Sequence, residues 1–162
     1  MLGPREVIDW DSYFFKMCEV ISLRSKDPAT QHGAILVDEN NRVISTGYNG
    51  GCRKIDDSKI NWDRPEKYHF VIHAEENALW TAEKKNLEGC TLYVTGPPCS
   101  RCMLRIAHSG VSRVVYGEKT SKCVDQMDWK ISTEIARLAD MRLESCKGGD
   151  LITFCSQSNG RT

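Results

Sequence analysis

Two short stretches of the chain carry side chains that can bind a metal ion. The first holds His73 and Glu75, two positions apart, and the second holds Cys99 and Cys102, three positions apart. A catalytic zinc ion commonly takes three protein ligands and keeps its fourth position for water. The sequence therefore predicts one zinc site with His73, Cys99 and Cys102 as ligands, and it leaves Glu75 as a proton carrier.

The two stretches can form this site only if each of them begins a helix. Residues two apart inside a helix point in different directions, so His73 and Glu75 converge only when His73 lies at the helix start. Cys99 and Cys102 share one face of a helix that begins just after the Pro97-Pro98 pair. The positive end of that helix favours the thiolate form of cysteine. We therefore expect both half-sites at helix N-termini.

Each pattern has another interpretation when it is taken alone. A single C-x-x-C also fits a thioredoxin-like redox pair or half of a structural zinc site. Eight cysteines could indicate a secreted disulfide scaffold, but several of them lie among apolar residues in strand or helix patterns. The combination of H-x-E with a later P-C-x-x-C favours the catalytic zinc site.

The length and charge of the chain limit the classes of function. At 162 residues we expect one domain, 1–155, followed by a disordered tail, 156–162. The formal net charge is zero, which gives no general attraction to nucleic acid or to an anionic membrane. No apolar run resembles a signal peptide or reaches membrane-spanning length. We expect a cytoplasmic protein with neither a membrane nor a nucleic acid as its partner.

Periodic patterns predict the elements before the first half-site. Apolar residues at helical spacing predict a helix from Trp10 to Ile21, whose apolar face is expected in the core. Two apolar runs joined by a turn, 34–37 and 43–46, predict a hairpin. A long aperiodic loop, 51–68, then leads to a predicted helix over 73–84.

Strands and helices alternate in the second half of the chain. Strands are predicted at 91–95, 113–116, 141–144 and 151–154. One predicted helix carries Cys99 and Cys102, and a last helix carries Ile131, Ile135 and Leu138. This alternation implies parallel pairing in an α/β protein, with both metal half-sites at strand ends.

Taken in order, five segments resemble the deoxycytidylate (dCMP) deaminase family of the cytidine-deaminase superfamily. These segments are Arg24-Ser25-Lys26-Asp27-Pro28, Gln31 with Gly33-Ala34, Gly47-Tyr48-Asn49-Gly50, His73-Ala74-Glu75 with Asn77-Ala78, and Pro98-Cys99 to Cys102. The zinc motif alone is typical of the superfamily, and the order of all five segments indicates the deoxycytidylate branch. The resemblance implies a three-layer α/β/α cytidine-deaminase-like fold, with helices on both faces of a central five-stranded mixed sheet.

The resemblance also implies an activity. The family removes the 4-amino group of dCMP by hydrolysis, giving dUMP and ammonia and supplying dUMP for dTTP synthesis. One catalytic zinc ion per chain would lower the pKa of bound water to about 7. Glu75 would then act as the proton shuttle, with the zinc-bound water as nucleophile.

Contacts to the nucleotide follow from the same resemblance. The candidate substrate contacts are Arg24, Ser25 and Lys26 for the phosphate, Asn49 for the sugar, and Ala74. Tyr116, at the end of its strand, is expected to close on the phosphate. Arg24 and Lys26 could instead form a solvated helix end that the helix dipole favours. Asn49 could instead be a turn residue that tolerates left-handed geometry.

Relatives of this kind are commonly allosteric homohexamers, activated by dCTP and inhibited by dTTP. The candidate effector contacts are Tyr48, Asn49, Gly50 and Cys52, and Mg²⁺ could accompany a triphosphate effector. Cys52 could also be an ordinary loop thiol. The chain departs from the family pattern after Gly50, where it lacks a common proline, and at His32, where valine is frequent. These departures leave the effector response and the favoured cytosine compound open.

Two other kinds of function stay open at this point. The chain could deaminate another cytosine compound, such as dCTP, a 5-modified dCMP, cytidine or a nucleic-acid base. It could also be a zinc-binding and nucleotide-binding module without catalysis. Glu75 argues against such a module, because a structural zinc site does not require this carboxylate.

Overall fold

The computed structural model describes residues 2–147 and 150–154. Within them, helices α1 to α4 span Trp10–Ser22, Ala74–Thr81, Ser100–His108 and Gln126–Leu138. Strands β1 to β8 span Gly33–Val37, Val43–Tyr48, Gly50–Gly51, Val71–Ile72, Thr91–Val94, Arg113–Tyr116, Arg142–Lys147 and Asp150–Phe154. The loop between β3 and β4 contains two short 3-10 helices, Asp57–Lys59 and Glu66–His69. The predicted tail, 156–162, lies outside the described residues, so the tail and the domain boundary stay predictions.

A mixed sheet in the order β2-β1-β5-β6-β7 forms the centre of the molecule, and β8 extends its edge beyond β7. Strand β1 pairs antiparallel with β2 and β5, whereas β5, β6 and β7 run parallel to one another. The register places Val114 between Leu92 and Leu143. The predicted five-stranded mixed sheet and its N-terminal hairpin are confirmed.

Helices cover both faces of this sheet. On one face, two residues of α1, Phe14 and Cys18, pack against Ile35, Tyr93 and Val115. On the other face, residues of α2, α3 and α4 pack against the strands: Ala74, Ala78, Met103, Ile106 and Ala136 against Leu36, Leu92 and Val114. Successive strand residues point to opposite faces, so strands covered on both sides are apolar throughout. The predicted three-layer α/β/α architecture is confirmed.

Helix α2 is shorter than the sequence pattern predicts. It ends at Thr81, and the next residue, Ala82, has extended backbone angles. Leu87 is buried in the core, and its N–H donates to the carbonyl of Ser109 at 3.1 Å. The chain must leave the helix early to bring Leu87 to this position.

Helix α1 buries less of its apolar side than expected. Phe14 and Cys18 are buried, but Trp10 is 56% exposed and Val20 is 67% exposed. A helix that packs on one face of a sheet buries only the stripe facing that sheet. Phe15, Met17 and Ile21 are half-buried against the core on this face, whereas Trp10, Tyr13 and Val20 lie at the surface.

Candidate active site

His73 lies at the start of α2, as the sequence predicts. It has extended backbone angles and is the N-cap residue of this helix. Its N–H donates to Glu76 Oε2 at 3.2 Å, in the manner of a capping box. Strand β4 ends directly before His73 and pairs with β3. The helix start and the β3-β4 ribbon together hold His73 in place.

Cys99 and Cys102 occupy the first turn of α3. Cys99 is the N-cap residue, and the N–H of Cys102 donates to its sulfur at 3.5 Å. Helix α4 supports this turn, because Ser132 Oγ donates to the carbonyl of Pro98 at 2.9 Å. The predicted helix start after the proline pair is confirmed.

The three predicted metal ligands converge on one point. His73 Nδ1 lies 3.6 Å from Cys99 Sγ and 3.3 Å from Cys102 Sγ, and all three ligand atoms lie within 4.8 Å of one another. Tetrahedral zinc, with its usual bonds to nitrogen and sulfur, requires an N···S separation of about 3.5 Å. Both cysteines are buried free thiols. The donor types and their spacing therefore fit one zinc ion.

The protonation of these groups also suits a metal site. A hydrogen bond with Cys102 lowers the pKa of Cys99, and the bond with Cys99 raises the pKa of Cys102. Hydrogen bonds with the thiols of Cys123 and Cys99 raise the pKa of His73. Zinc ligands must be deprotonated, so metal binding would displace protons from His73 and Cys102.

Glu75 shares a cavity with the metal ligands. It is buried and lines this active-site cavity together with His73 and Cys99. Burial raises the pKa of its carboxyl. A carboxyl whose pKa is raised by burial holds a proton more readily than a free carboxylate and can return it during a reaction. The geometry is therefore suited to general acid–base chemistry beside a metal ion.

Comparison with known families identifies the group to which this site belongs. The family described as the cytidine and deoxycytidylate deaminase zinc-binding region matches residues 8–118. The chain belongs to this deaminase family. The site described above lies within the matched residues.

Several deaminases are similar to this chain in sequence. An uncharacterised deaminase encoded in the luxG 3′ region of Aliivibrio fischeri is 40% identical over 122 residues, which cover 75% of this chain and 82% of that protein. A probable deoxycytidylate deaminase of Caenorhabditis elegans is 42% identical over 109 residues, covering 65% of this chain and 55% of that protein. The human deoxycytidylate deaminase is 32% identical over 117 residues, covering 68% and 66%. The match thus spans between about half and two thirds of these two deoxycytidylate deaminases.

A solved deaminase structure has the same fold. The dCMP deaminase of the cyanophage S-TIM5, crystallised with dCMP and dUMP, superposes with a TM-score of 0.70. The superposition covers 83% of this chain and 95% of that chain, at 24% identity. The cytidine-deaminase-like fold is therefore confirmed.

The predicted substrate contacts fall into two groups, those that line the active-site cavity and those that do not. Asn49 and Ala74 line the active-site cavity. The described lining residues do not include Arg24, Ser25, Lys26 and Tyr116. Ser25 Oγ nevertheless donates to the carbonyl of Asn49 at 2.7 Å. Ser25 is thus joined to the cavity wall through Asn49.

The other predicted phosphate residues have surroundings of their own. Arg24 is exposed just after α1, and the ammonium group of Lys26 forms an ion pair with Asp57. Tyr116 is buried at the end of β6, with its ring centre 5.1 Å from that of Trp129. Their roles in substrate binding stay predictions.

The candidate effector residues lie in and around β3, the first strand of the β3-β4 ribbon. Asn77 Nδ2 donates to the carbonyl of Tyr48 at 2.8 Å, and Gly50 pairs with Ile72. Cys52 directly follows β3 and is half-buried. This segment is therefore joined directly to α2 and to the residue before His73.

Asn49 is fixed in the wall of the cavity. Its Oδ1 accepts from the N–H of His32 at 2.7 Å, and its Nδ2 donates to the carbonyl of Thr30 at 2.8 Å. Among the described residues, positive φ angles outside glycine occur at Asn41 and Asp140. Left-handed geometry is therefore not the reason for an asparagine at position 49.

Several residues of the lining could not be found from the sequence. Lys67 Nζ donates to both carboxylate oxygens of Asp27, at 2.9 and 2.7 Å, and both side chains are buried. Burial alone would raise the pKa of Asp27, but the bonds from Lys67 and from backbone N–H groups lower it overall. Asp27 lies in a segment recognised only by its resemblance. Lys67 lies in the aperiodic loop, 51–68, where no sequence pattern indicates a functional residue.

Proposed function

We propose that the chain catalyses the zinc-dependent hydrolysis of dCMP to dUMP and ammonia. The convergence of His73, Cys99 and Cys102, with Glu75 in the same cavity, is the observation that carries this proposal. Relatives named as deoxycytidylate deaminases support dCMP as the substrate. The structure of the cyanophage relative with dCMP and dUMP supports the same substrate and product.

Residues of the chain have distinct roles in this reaction. Zinc, when bound, would polarise a water molecule and bring its pKa toward neutrality. Glu75 takes a proton from that water as its oxygen bonds to the ring carbon that carries the amino group. Glu75 delivers this proton to the neighbouring ring nitrogen, then takes the second proton from the new hydroxyl group and passes it to the amine. The bond between the ring carbon and the amine breaks, ammonia leaves, and the hydroxyl oxygen becomes the carbonyl of dUMP. Glu75 is buried in the cavity wall, and its separation from bulk water strengthens these charge interactions.

Recognition of the nucleotide involves both groups of predicted contacts. Asn49 and Ala74 contact the sugar and base from the cavity wall. Arg24, Ser25 and Lys26 bind the phosphate at the cavity entrance, and the bond from Ser25 to Asn49 connects this end to the sugar contact. Tyr116 supports the site from the end of β6.

Regulation, assembly and location form a further part of the proposal. We place dCTP or dTTP, with Mg²⁺, near Tyr48, Asn49, Gly50 and Cys52, because the β3-β4 ribbon connects this segment to His73. A homohexamer in the cytoplasm, supplying dUMP for dTTP synthesis, follows from the family resemblance. Within the described helices, none has the length and apolar character needed to cross a membrane.

Ammonia release tests the proposed reaction and its substrate. The zinc-loaded protein is assayed with dCMP, dCTP, CMP, deoxycytidine and cytosine. We expect the highest kcat/KM with dCMP. Equal values with and without the 5′-phosphate would reject the phosphate contacts, and faster turnover of another cytosine compound would replace dCMP as the substrate.

Substitution of Glu75 separates catalysis from binding. Glu75→Gln should lower kcat by about 10² to 10⁴-fold, the usual contribution of a positioned acid–base group, while zinc content and dUMP binding persist. Glu83→Gln, at an exposed carboxylate, is the matched control. Full activity in Glu75→Gln would favour a different proton carrier, and absence of turnover in the unsubstituted protein would favour a binding module.

A further inference from the structure

The ring of His32 lies in the wall of the active-site cavity with one nitrogen unused. Its Nδ1 is 2.9 Å from Thr95 Oγ1. Its Nε2 is buried and has no hydrogen-bond partner among the residues that the structure describes. Buried polar atoms in proteins nearly always have a partner, so an unused nitrogen in a ligand cavity calls for an explanation.

The hydrogen bonds of Thr95 determine which ring nitrogen carries the proton. Thr95 Oγ1 accepts from the N–H of Gly33 at 3.2 Å, and Thr95 is buried, so its own hydroxyl proton needs an acceptor. Within the described chain, His32 Nδ1 is the acceptor within reach of this proton. The proton of the neutral ring then resides on Nε2, which makes Nε2–H a hydrogen-bond donor.

The surroundings keep this ring neutral. Burial lowers the pKa of His32 to about 4, and the charge of Lys119 acts in the same direction, against Asp27. At neutral pH the ring therefore offers a directed N–H group and not a positive charge. An uncharged donor of this kind suits a neutral oxygen acceptor better than a phosphate.

His32 and Asn49 form one continuous part of the wall. The N–H of His32 donates to Asn49 Oδ1, and the N–H of Asn49 donates to the carbonyl of His32 at 3.3 Å. Gly96 closes on the other side of the ring, because a methyl group at Gly96 would lie 2.9 Å from His32 Cε1. The ring is thus held in place beside the residue that we assign to the sugar.

We infer that His32 is a specificity-determining residue whose Nε2–H donates a hydrogen bond to the 3′-oxygen of the bound deoxyribose. This inference rests on the proposed function, which places the sugar against Asn49. A 2′-deoxyribose 5′-phosphate carries a single free hydroxyl group, at the 3′ position. That oxygen is the neutral acceptor that the unused donor requires, and its loss from the substrate would leave the donor unpaired.

The test removes the donor from the protein and the acceptor from the substrate. Values of kcat/KM are measured for dCMP and for 2′,3′-dideoxycytidine 5′-monophosphate. The unsubstituted protein should prefer dCMP by about tenfold or more, and His32→Val and His32→Leu should each reduce that preference close to unity. His32→Gln, whose amide can donate from a similar position, should retain part of it.

Controls separate the role of His32 from the stability of the site. His69→Val, at an exposed histidine outside the cavity lining, should keep the full preference. Zinc content and thermal unfolding are measured for every variant, and the two apolar replacements guard against one of them failing to fold. An unchanged preference in both His32→Val and His32→Leu would overturn the inference.

A binding measurement distinguishes this inference from the proposed function. Dissociation constants for the same two nucleotides are measured by calorimetry with Glu75→Gln, alone and combined with His32→Val. If the unsubstituted protein fails to deaminate dCMP, the proposed reaction is rejected, yet the ratio of dissociation constants still tests His32. A ratio that does not change with His32→Val rejects the role of His32 and leaves the reaction standing.

Discussion

Single residues at helix starts create the chemistry of this protein. His73 and Cys99 are both N-cap residues, so their side chains project from the first turn toward each other. This position could be predicted, because the proline pair and the spacing within each stretch indicate where each helix begins. Cys123 could not be predicted, since it lies in a segment without periodicity. Its thiol hydrogen-bonds to His73, but it is not part of the three-ligand cluster.

Cys102, a predicted zinc ligand, and Cys123, which hydrogen-bonds to His73, should respond differently to replacement by serine. Cys102→Ser removes a ligand, and we expect the purified variant to hold less than about 0.1 zinc per chain. Cys123→Ser should keep close to one zinc, because its hydroxyl can still hydrogen-bond to the ring of His73. Elemental analysis after removal of loosely bound metal measures both. Equal loss of zinc from the two variants would show that Cys123 is a fourth ligand and that the site is closed.

At the scale of elements, one arginine ties four of them together. Arg113 of β6 forms ion pairs with Asp11 of α1 and Glu144 of β7, and Tyr93 of β5 donates to Asp11 at 2.6 Å. The order of strands and helices followed from periodicity, because apolar runs and turn residues are local signals. This cluster could not be predicted from periodicity, because its members are up to 133 positions apart, from Asp11 to Glu144.

Removal of this arginine should destabilise the fold strongly. Arg113→Ala leaves two mostly buried carboxylates without their shared cation, which we expect to lower the free energy of unfolding by about 3 kcal/mol. Arg137→Ala breaks an exposed pair with Glu134 on α4 and should leave stability unchanged within error. Urea unfolding at neutral pH compares the two. A similar effect of both substitutions would show that the cluster contributes no more than a surface pair.

At the scale of the whole molecule, the fold class could be predicted but the cavity could not. Alternating strands and helices, together with the family resemblance, predicted the layers and the sheet. The cavity is also lined by Lys67 from the long loop and by His32, the residue before β1, and these come together only when the chain is folded. No local pattern connects such residues. The convergence of His73, Cys99 and Cys102 could therefore be predicted, whereas the rest of the cavity lining could be predicted only in part.

The free energy of unfolding should depend on pH through the protonation of His32. The pKa of His32 is about 4 in the folded chain, below its ordinary value of about 6.5, owing to burial and the charge of Lys119. The unfolded chain therefore binds the proton first as pH falls, which favours unfolding. This contribution is fully present above about pH 6.5 and is lost as pH falls toward 4.

Substitution of His32 isolates this effect. Between pH 7 and 4.5, the unsubstituted protein should lose about 2 kcal/mol more free energy of unfolding than His32→Val. Zinc release in acid is common to both proteins and cancels in the difference, and His69→Val should behave as the unsubstituted protein does. If the free energy of unfolding fell equally with pH in the unsubstituted protein and in His32→Val, the lowered pKa of His32 would be contradicted.

The coordination of zinc in the resting protein tests whether the metal has three protein ligands and one solvent ligand. X-ray absorption at the zinc edge counts the sulfur and light atoms around the metal and measures their distances. We predict one zinc per chain with two sulfur atoms at about 2.3 Å and two nitrogen or oxygen atoms at about 2.0 Å, one of them from solvent. A third sulfur ligand, or metal-free protein with Cys99 and Cys102 bonded to each other, would contradict the account.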